Sequence, residues 1–413
     1  MVTMAQLRDV NLTSWRDAAR GWLTLSQHTR QAALDIRDQG AGPVSDAWRD
    51  EVGQTAYDVL NKLAIEYDMA ADVVKGAQLV LDGLADAVEI AQRELTSALS
   101  LVARPISVTE DGTVHVDLAM TLAPAEVEQV TKRAATIEKM ICDAVEAASQ
   151  ADQTAAQALD KLRHGTELAI TGDRDHDIDQ ALALQEDASL AQVNALHFTL
   201  PHGQGPDVVA AWWNGLTERE RQELQLALPT ELCDLDGIPD TVKADLRGHD
   251  GYDRMAVVKY ALDHVEDTSI DKWPSNCTQF VSTALSAGGI PAAGPYPLLG
   301  PQWHDGGDWP FTNPSRAWVN SQASHDFMLD HGGTEVPRGE AKPGDVIYFR
   351  NGKGEVYHAA MVTAVTPDGD IKYTQHTPGR TDSTLDGRAS SIRDDQGSND
   401  IAIVRVKPDW AAS

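Results

Sequence analysis

The chain is short of positive charge. Its 413 residues include 34 Lys or Arg against 63 Asp or Glu, a formal net charge of −29. A polyanion needs a basic patch to bind, so nucleic acid is excluded as a partner class and anionic membrane surfaces are disfavoured. Cysteine is scarce too. Cys142, Cys233 and Cys277 cannot form a disulfide framework and lack metal-ligand spacing, so neither a metal nor another cofactor is expected. No run approaches the ~18 consecutive apolar residues of a membrane-spanning helix. The opening residues, MVTMAQLRDVNLTSW, have no basic region followed by an apolar core, so the expected route out of the cytoplasm is not a Sec signal peptide. What is present is globular: 42% hydrophobic and 23% charged residues, with length for two or three domains.

Composition changes along the chain. Before about residue 200 it is rich in Ala, Leu, Gln and Glu; after about 270 Gly, Pro, Trp and Tyr become frequent, and most of the acidic excess lies in the front part. The fold class this implies is an elongated α-helical N-terminal domain with a small β-hairpin, followed by an α+β domain. The boundaries fall at 1–168, a helical connector at 169–249, and 250–413. A first long helix is expected after Ser14, running towards Asp38 with Trp15, Trp22, Leu23 and Leu34 on its apolar side, and GAGP (40–43) is expected to end it. A second, from about Ser45 to Val102, is long enough for a hairpin or rod, with Gly76 and Gly83 as candidate breaks. ISVTEDGTVHVDL (106–118) alternates around Asp111-Gly112 as a hairpin does, and a third helix follows from Ala125 to about Leu162.

Long helices with Trp48 and Gly53 near a first turn, then the Asp-Gly-Thr-Val hairpin, resemble the WXG-type front halves of actinobacterial type VII secretion substrates. The spacing departs from that pattern, being Trp-x4-Gly, and no Tyr-x3-Asp/Glu export motif follows. The competing reading is that Trp48 fills a helix–helix core. TGDRDHDIDQALALQE (171–186) places Asp175, Asp177, Asp179 and Glu186 at the ligand spacing of a calcium loop, but Gln180 stands where the turn needs Gly, and an acidic helix start explains the segment better. The connector AWWNGLTERERQELQLALPTELCDLDGIPDTVKADL (211–246) carries a capping box, Thr217 with Glu220. Cys233, beside Asp234 and Asp236, is a poor nucleophile there. Cys142, among Ile141 and Val145, is expected in the core.

Cys277 differs. In WPSNCTQFVSTALSAGG (273–289), Trp273-Pro274 halts the chain, Ser275 or Asn276 can cap a helix, and Phe280, Val281, Ala284 and Leu285 form its buried stripe before Gly288-Gly289. Cys277 therefore falls in the first helical turn, where backbone N–H groups and the dipole stabilise a thiolate and an oxyanion. A thiolate nucleophile needs a base and an orienting group. His358 opens the buried strand VYHAAMVTAV (356–365), sharing a face with Ala360 and Val362. The next strand, IKYTQHT (371–377), ends in Gln375 and His376, and since neighbours on a strand point to opposite faces, only one of these can orient the imidazole.

That order of Cys on a helix, then His and a polar residue on successive strands, resembles the bacterial putative amidase-domain family among the NlpC-type and CHAP-type papain-like cysteine hydrolases. The resemblance spans Tyr252 to Lys407 and rests on YDRMAVVKYALDH, NCTQFVSTALSAGG, a Trp-rich insert (Trp303, Trp309, Trp318), GDVIYF, HAAMVT and the final His-Thr. It implies a papain-like α+β catalytic domain with Cys277 as nucleophile, His358 as base and then acid, His376 as orienter with Gln375 in reserve, and Asn276 with the Cys277 N–H at the oxyanion. Gln279 replaces the family's usual Asn and keeps an amide. Trp273, Gln279, Trp303 and Trp309 complete the expected substrate-side residues, Trp303 and Trp318 being also the natural core members of the insert. The expected activity is hydrolysis of an amide bond in a peptidoglycan peptide by a secreted effector or wall-remodelling enzyme. A protein substrate attacked by a protease or deamidase, or a non-catalytic secretion-associated role, is the alternative. A secretion machine, chaperone or immunity protein are the expected partners.

Overall fold

The computed structural model of the protein describes residues 1–117, 123–167, 174–272, 276–294, 302–306, 313–377, 379–385 and 400–412. A short helix, α1 (Met4–Asp9), opens the chain and is followed by α2 (Thr13–Asp35). α2 begins one residue before the expected Ser14 cap, the Thr13 N–H donating to Asn11 Oδ1. GAGP does not end it. The chain passes through a wider π-helical turn (Ile36–Ala41) into α3 (Gly42–Ala47), with Pro43 in the first turn, where a missing N–H costs no helical bond. The break comes at Trp48, which is extended (φ −130°, ψ 94°). Asp50 then caps α4 (Glu51–Ser100) by accepting the Gly53 N–H at 3.0 Å.

α4 is one continuous helix of 50 residues, without the breaks expected at Gly76 and Gly83. These glycines mark close approach instead. A Cβ on Gly76 would lie 2.8 Å from Leu162 Cδ2, and one on Gly83 would lie 2.7 Å from Gln192 Cα. Their bare backbones let α5 (Pro124–Glu167) and α6 (Arg174–His197) pack onto α4. The hairpin forms as expected from β1 (Ile106–Val108) and β2 (Val114–Val116), with Gly112 at φ +94° in its turn.

The way α2 docks on α4 corrects the expectation for Trp22 and Leu34, while Trp15 packs, partly buried, against the helical core as expected. The buried residues of α2 are small, Ala19, Ser26 and Ala33. Ser26 Oγ donates to the Ala71 carbonyl, and arginines on and just after α2 reach carboxylates of α4: Arg16 to Asp86 and Glu89, Arg30 to Asp72, Arg37 to Asp68. The helices therefore approach through small and ionic side chains, leaving Trp22 and Leu34 on the outside. Trp48, a candidate core residue, is 47% exposed. Cys142, also expected inside, is exposed, because the buried stripe of α5 runs through Ile137, Ile141, Ala144 and Ala148 on another side.

Burial pushes the carboxyls of Asp72 and Asp86 up to about 7, outweighing their arginine partners. A carboxyl raised in the folded chain binds more protons there than in the unfolded chain, so its contribution to stability is lost as pH rises from about 4 towards 7. Asp72→Asn removes this dependence. The stability of wild type relative to Asp72→Asn is expected to fall across that window, by a few kcal/mol at ~1.4 kcal/mol per unit of displacement. Urea unfolding of both proteins at pH 4.5 and pH 8 checks it, and a difference that is constant or grows with pH contradicts it.

The segment with calcium-loop spacing is helical from Arg174 onward, in keeping with the preferred reading as an acidic helix start, and Glu186 accepts hydrogen bonds from Arg380 Nη1 and the Thr381 N–H, each at 3.0 Å. Among the described residues no cluster of His, Cys, Asp and Glu is arranged to hold a metal. The connector folds into α7 (Pro206–Gly215), α8 (Glu218–Ala227), α9 (Pro229–Asp234) and α10 (Asp240–Arg247), around Trp212, Trp213, Leu224 and Leu228. The Thr217–Glu220 capping box is present. Cys233 is buried, and burial is the main reason its thiol is pushed up.

The C-terminal part places α11 (Arg254–Asp263), α12 (Cys277–Ala287), α13 (Arg316–Val319) and α14 (Ser321–Asp330) with a six-stranded sheet. The strands are β3 (Thr334–Val336), β4 (Val346–Arg350), β5 (Val356–Val365), β6 (Ile371–Gln375), β7 (Arg380–Thr384) and β8 (Asp400–Arg405). They run in the order β3-β8-β4-β5-β6-β7, every neighbouring pair antiparallel. Val257, Ala261, Phe280 and Val281 pack with Tyr348 and Met361, while Ile347, Phe349, Ala360, Val362 and Tyr373 form a second cluster. The alternation of strand side chains divides the two.

β7 ends the sheet and is covered by the helical half rather than left as an open edge. Ser189 Oγ of α6 donates to the Asp382 carbonyl, and Glu186 takes the two bonds described above. In the β5–β6 turn, Asp368 accepts from Gln78 Nε2 at 3.0 Å and Gln192 Nε2 at 3.3 Å. Beneath this contact Lys372 is fully buried and pairs with Asp370 at 2.8 Å.

Candidate active site

Cys277 is the first residue of α12, and the helix is laid down by the apolar stripe that follows it. Asn276 occupies the N-cap but makes no side-chain hydrogen bond to the first turn. The first intrahelical bond of this end runs from the Phe280 N–H to the Asn276 carbonyl at 2.8 Å. The amide groups ahead of Phe280 thus have no helical partner, which is the general condition for holding negative charge at a helix start.

The thiol lies beside β5. The charge and hydrogen-bonding capacity of His358 and the Ala359 backbone N–H act on the sulfur. Thr278 Oγ1 lies 3.8 Å and Ser321 Oγ 3.9 Å from Sγ, with 2.8 Å between the two hydroxyls. Burial alone pushes the Cys277 thiol up. The charge of His358 and its hydrogen bond, helped by the Ala359 N–H and Thr278, outweigh that and lower the thiol to about 5. This is the environment of a thiolate near neutral pH.

His358 is buried, and its Nε2 lies 2.9 Å from Gln375 Oε1. An amide oxygen can only accept, so Nε2–H donates and Nδ1 is the ring nitrogen left for the sulfur. Gln375, held in reserve on the sequence, is thus the residue that meets the imidazole. His376, which the resemblance put in that place, is turned to the other face of β6. Its Nδ1 lies 2.7 Å from the Val265 carbonyl, its Nε2 lies 2.6 Å from Asp271 Oδ1, and its ring stacks on Phe280 at 5.5 Å.

The remaining expected residues are dispersed. Asn276 Oδ1 accepts the Lys272 N–H at 3.2 Å, and the Asn276 N–H donates to Thr377 Oγ1 at 3.3 Å, so this residue binds its own loop together. Gln279 Nε2 donates to the Ile270 carbonyl at 2.9 Å and likewise serves the loop instead of a cleft. Trp303 is core: fully buried, it donates from Nε1 to Ser282 Oγ at 3.2 Å and packs on Trp318 at 4.5 Å. Its place on the substrate side is corrected accordingly. Trp273, Ser275 and Trp309 lie outside the described residues. Ser321 was missed on the sequence. The one signal for it was Asn320, which caps α14 by accepting the Ala323 N–H and so fixes where the following serine sits.

The comparison with known families bears on the part of the chain that holds these residues. Residues 251–398 match the family model described as "putative amidase domain", which supports an amidase-domain family for the C-terminal part of the chain. No curated protein and no solved structure gives a significant match.

Proposed function

We propose that the C-terminal domain is a cysteine-dependent amide hydrolase of papain-like type, and that its substrate is a peptide of the bacterial cell wall. The observation that carries the reading is the buried line Cys277–His358–Gln375, with the thiol lowered to about 5 at a helix start. In this reading Sγ attacks the amide carbonyl carbon and a C–S bond forms. The oxyanion rests on N–H groups of the first turn of α12, and His358 delivers a proton to the nitrogen as the C–N bond breaks. Water then attacks the thioester, His358 takes its proton, the C–S bond breaks and a carboxylate leaves. Gln375 holds the imidazole in the productive tautomer throughout, the role of the third residue in such triads.

The same reading gives the helical front half a partner-binding role in export by a non-Sec route, for which the exposed Trp22, Trp48, Val59 and Leu63 are the available surface. The test of the catalytic claim is incubation of purified peptidoglycan, and separately of an unfolded protein mixture, with the intact protein and with Cys277→Ala. Mass spectrometry then reads the new amine and carboxyl ends. Ends released from peptidoglycan by the intact protein alone support the proposal. Release from the protein mixture only would replace the wall substrate with a protein one, and no release from either would contradict amide hydrolysis.

A further inference from the structure

Three consecutive residues at the end of β6 each reach a different part of the site. Gln375 meets the base, His358. Thr377, at φ +64° and so in a conformation rare for a β-branched residue, accepts the N–H of Asn276 beside the nucleophile. His376, between them, reaches the segment that leads into α12.

That segment, 264–272, is tied down at several points. The Val265 carbonyl and the Asp271 carboxylate meet the two ring nitrogens of His376 at 2.7 and 2.6 Å. Ile270 is held by Gln279, and Lys272 by Asn276. His376 is buried and also stacks on Phe280, three residues after Cys277 on the same helix. Both ring nitrogens face acceptors and the ring face packs on the nucleophile helix, so a single side chain fixes segment, helix and strand with respect to one another.

From this geometry we infer that His376, with Asp271 as its partner, is a positioning residue that holds the start of α12 against β5 and β6, setting the approach of Cys277 to His358. It does not touch the reacting atoms. The inference rests on the proposed thiol chemistry, and it assigns the His–Asp pair a role separate from that of Gln375. A strained Thr377 persists only where its surroundings over-determine it, and His376 and Asn276 are those surroundings on either side.

The test needs no substrate. In the full-length protein, the rate of Cys277 alkylation by iodoacetamide is measured from pH 4.5 to pH 9 by peptide mass spectrometry for wild type, Asp271→Ala, His376→Ala, Gln375→Ala and the double variant Asp271→Ala/His376→Ala. Thermal unfolding is recorded for each. Asp271 is partly exposed, so its replacement removes a partner of His376 without opening a buried cavity.

The expected result is that Asp271→Ala slows alkylation at pH 6 by about fivefold or more and moves its onset to higher pH. His376→Ala does the same, and the double variant is no worse than His376→Ala, because the two residues act as one pair. An unchanged alkylation profile in Asp271→Ala overturns the inference, as does loss in His376→Ala with no loss in Gln375→Ala, which would return the orienting role to His376. If Cys277 of the wild type is itself unreactive at pH 6, the amide-hydrolase reading fails first. A reactive wild type with an unaffected Asp271→Ala sinks the positioning role alone.

Discussion

Replacing His358 by alanine is expected to move the onset of Cys277 reactivity from about pH 5 to roughly pH 8.5, the range of an ordinary thiol. The direction follows from what surrounds the sulfur. Burial raises the thiol, and the effects that overcome it come first from the charge and hydrogen bond of His358, with the Ala359 N–H and Thr278 contributing less. Removing the imidazole leaves burial opposed only by the weaker donors. At pH 6 a displacement of about 3.5 units takes the thiol from about nine-tenths ionised to roughly 0.3%, a fall of about 300-fold, and alkylation falls in proportion. The sign is fixed: the thiolate forms as pH rises through the thiol's value, so the variant recovers reactivity at alkaline pH. Stopped-time alkylation with mass readout from pH 4.5 to pH 10 checks it. A variant that keeps its onset near pH 5 would show that something other than His358 stabilises the thiolate.

The second large effect concerns stability. Asp345, fully buried at the start of β4, accepts from Arg254 Nη2 at 2.7 Å, from Arg405 Nη2 at 2.8 Å and from the Lys342 N–H at 2.9 Å. Arg254 in turn donates to the Pro343 carbonyl at 2.7 Å. The carboxylate thus joins the first helix of the C-terminal part to the turn before β4 and to β8. Asp345→Ala leaves two guanidinium groups without their shared partner, one of them on a buried arginine, and is expected to cost ~3–5 kcal/mol of unfolding free energy. A shift of the urea midpoint of that size is the predicted readout. A loss below ~1 kcal/mol would mean that water or another acceptor takes the place of the carboxylate.

These two sites show what the amino-acid pattern reveals and what it hides. Cys277 was legible because a helix start, an apolar stripe and a terminating Gly-Gly can all be read locally. His358 was legible because its strand alternates with small residues. The choice between Gln375 and His376 was not legible. Periodicity says that they face opposite ways, but all five residues of β6 are buried, so no polar–apolar contrast tells which face carries Tyr373 and Gln375. The register Val362↔Tyr373 decides it by placing Gln375 on the His358 side.

Long-range pairing hid the rest. Arg254 and Asp345 were each visible in their own motif, Tyr-x-Arg and Gly-Asp, yet nothing local makes them partners 91 residues apart. The docking of α2 was misjudged for a similar reason. Trp15, Trp22 and Leu34 suggest a buried side that, of these three, only Trp15 joins, while most of the contact uses small residues and arginines whose partners lie on α4. Cys142 illustrates the same limit on α5, where apolar neighbours at i−1 and i+3 did not bring the thiol onto the buried side.

The helical half also bears on the chemistry through its cover over β7. The strand that carries Gln375 lies between β5 and β7, and β7 is held by Ser189 and Glu186 of α6. α6 thus braces the strand next to the one that carries Gln375.

The most direct test of the central claim sets the three thiols against one another. Limiting iodoacetamide is added to the native protein at pH 6, and the modified peptides are quantified by mass spectrometry. Exposure alone favours Cys142, which is exposed while Cys233 and Cys277 are buried. The account predicts the reverse: Cys277, lowered to about 5 by His358, is modified first and nearly exclusively, and the preference disappears in His358→Ala. Modification of Cys142 ahead of Cys277 in the wild type would contradict the assignment of Cys277 as an activated nucleophile.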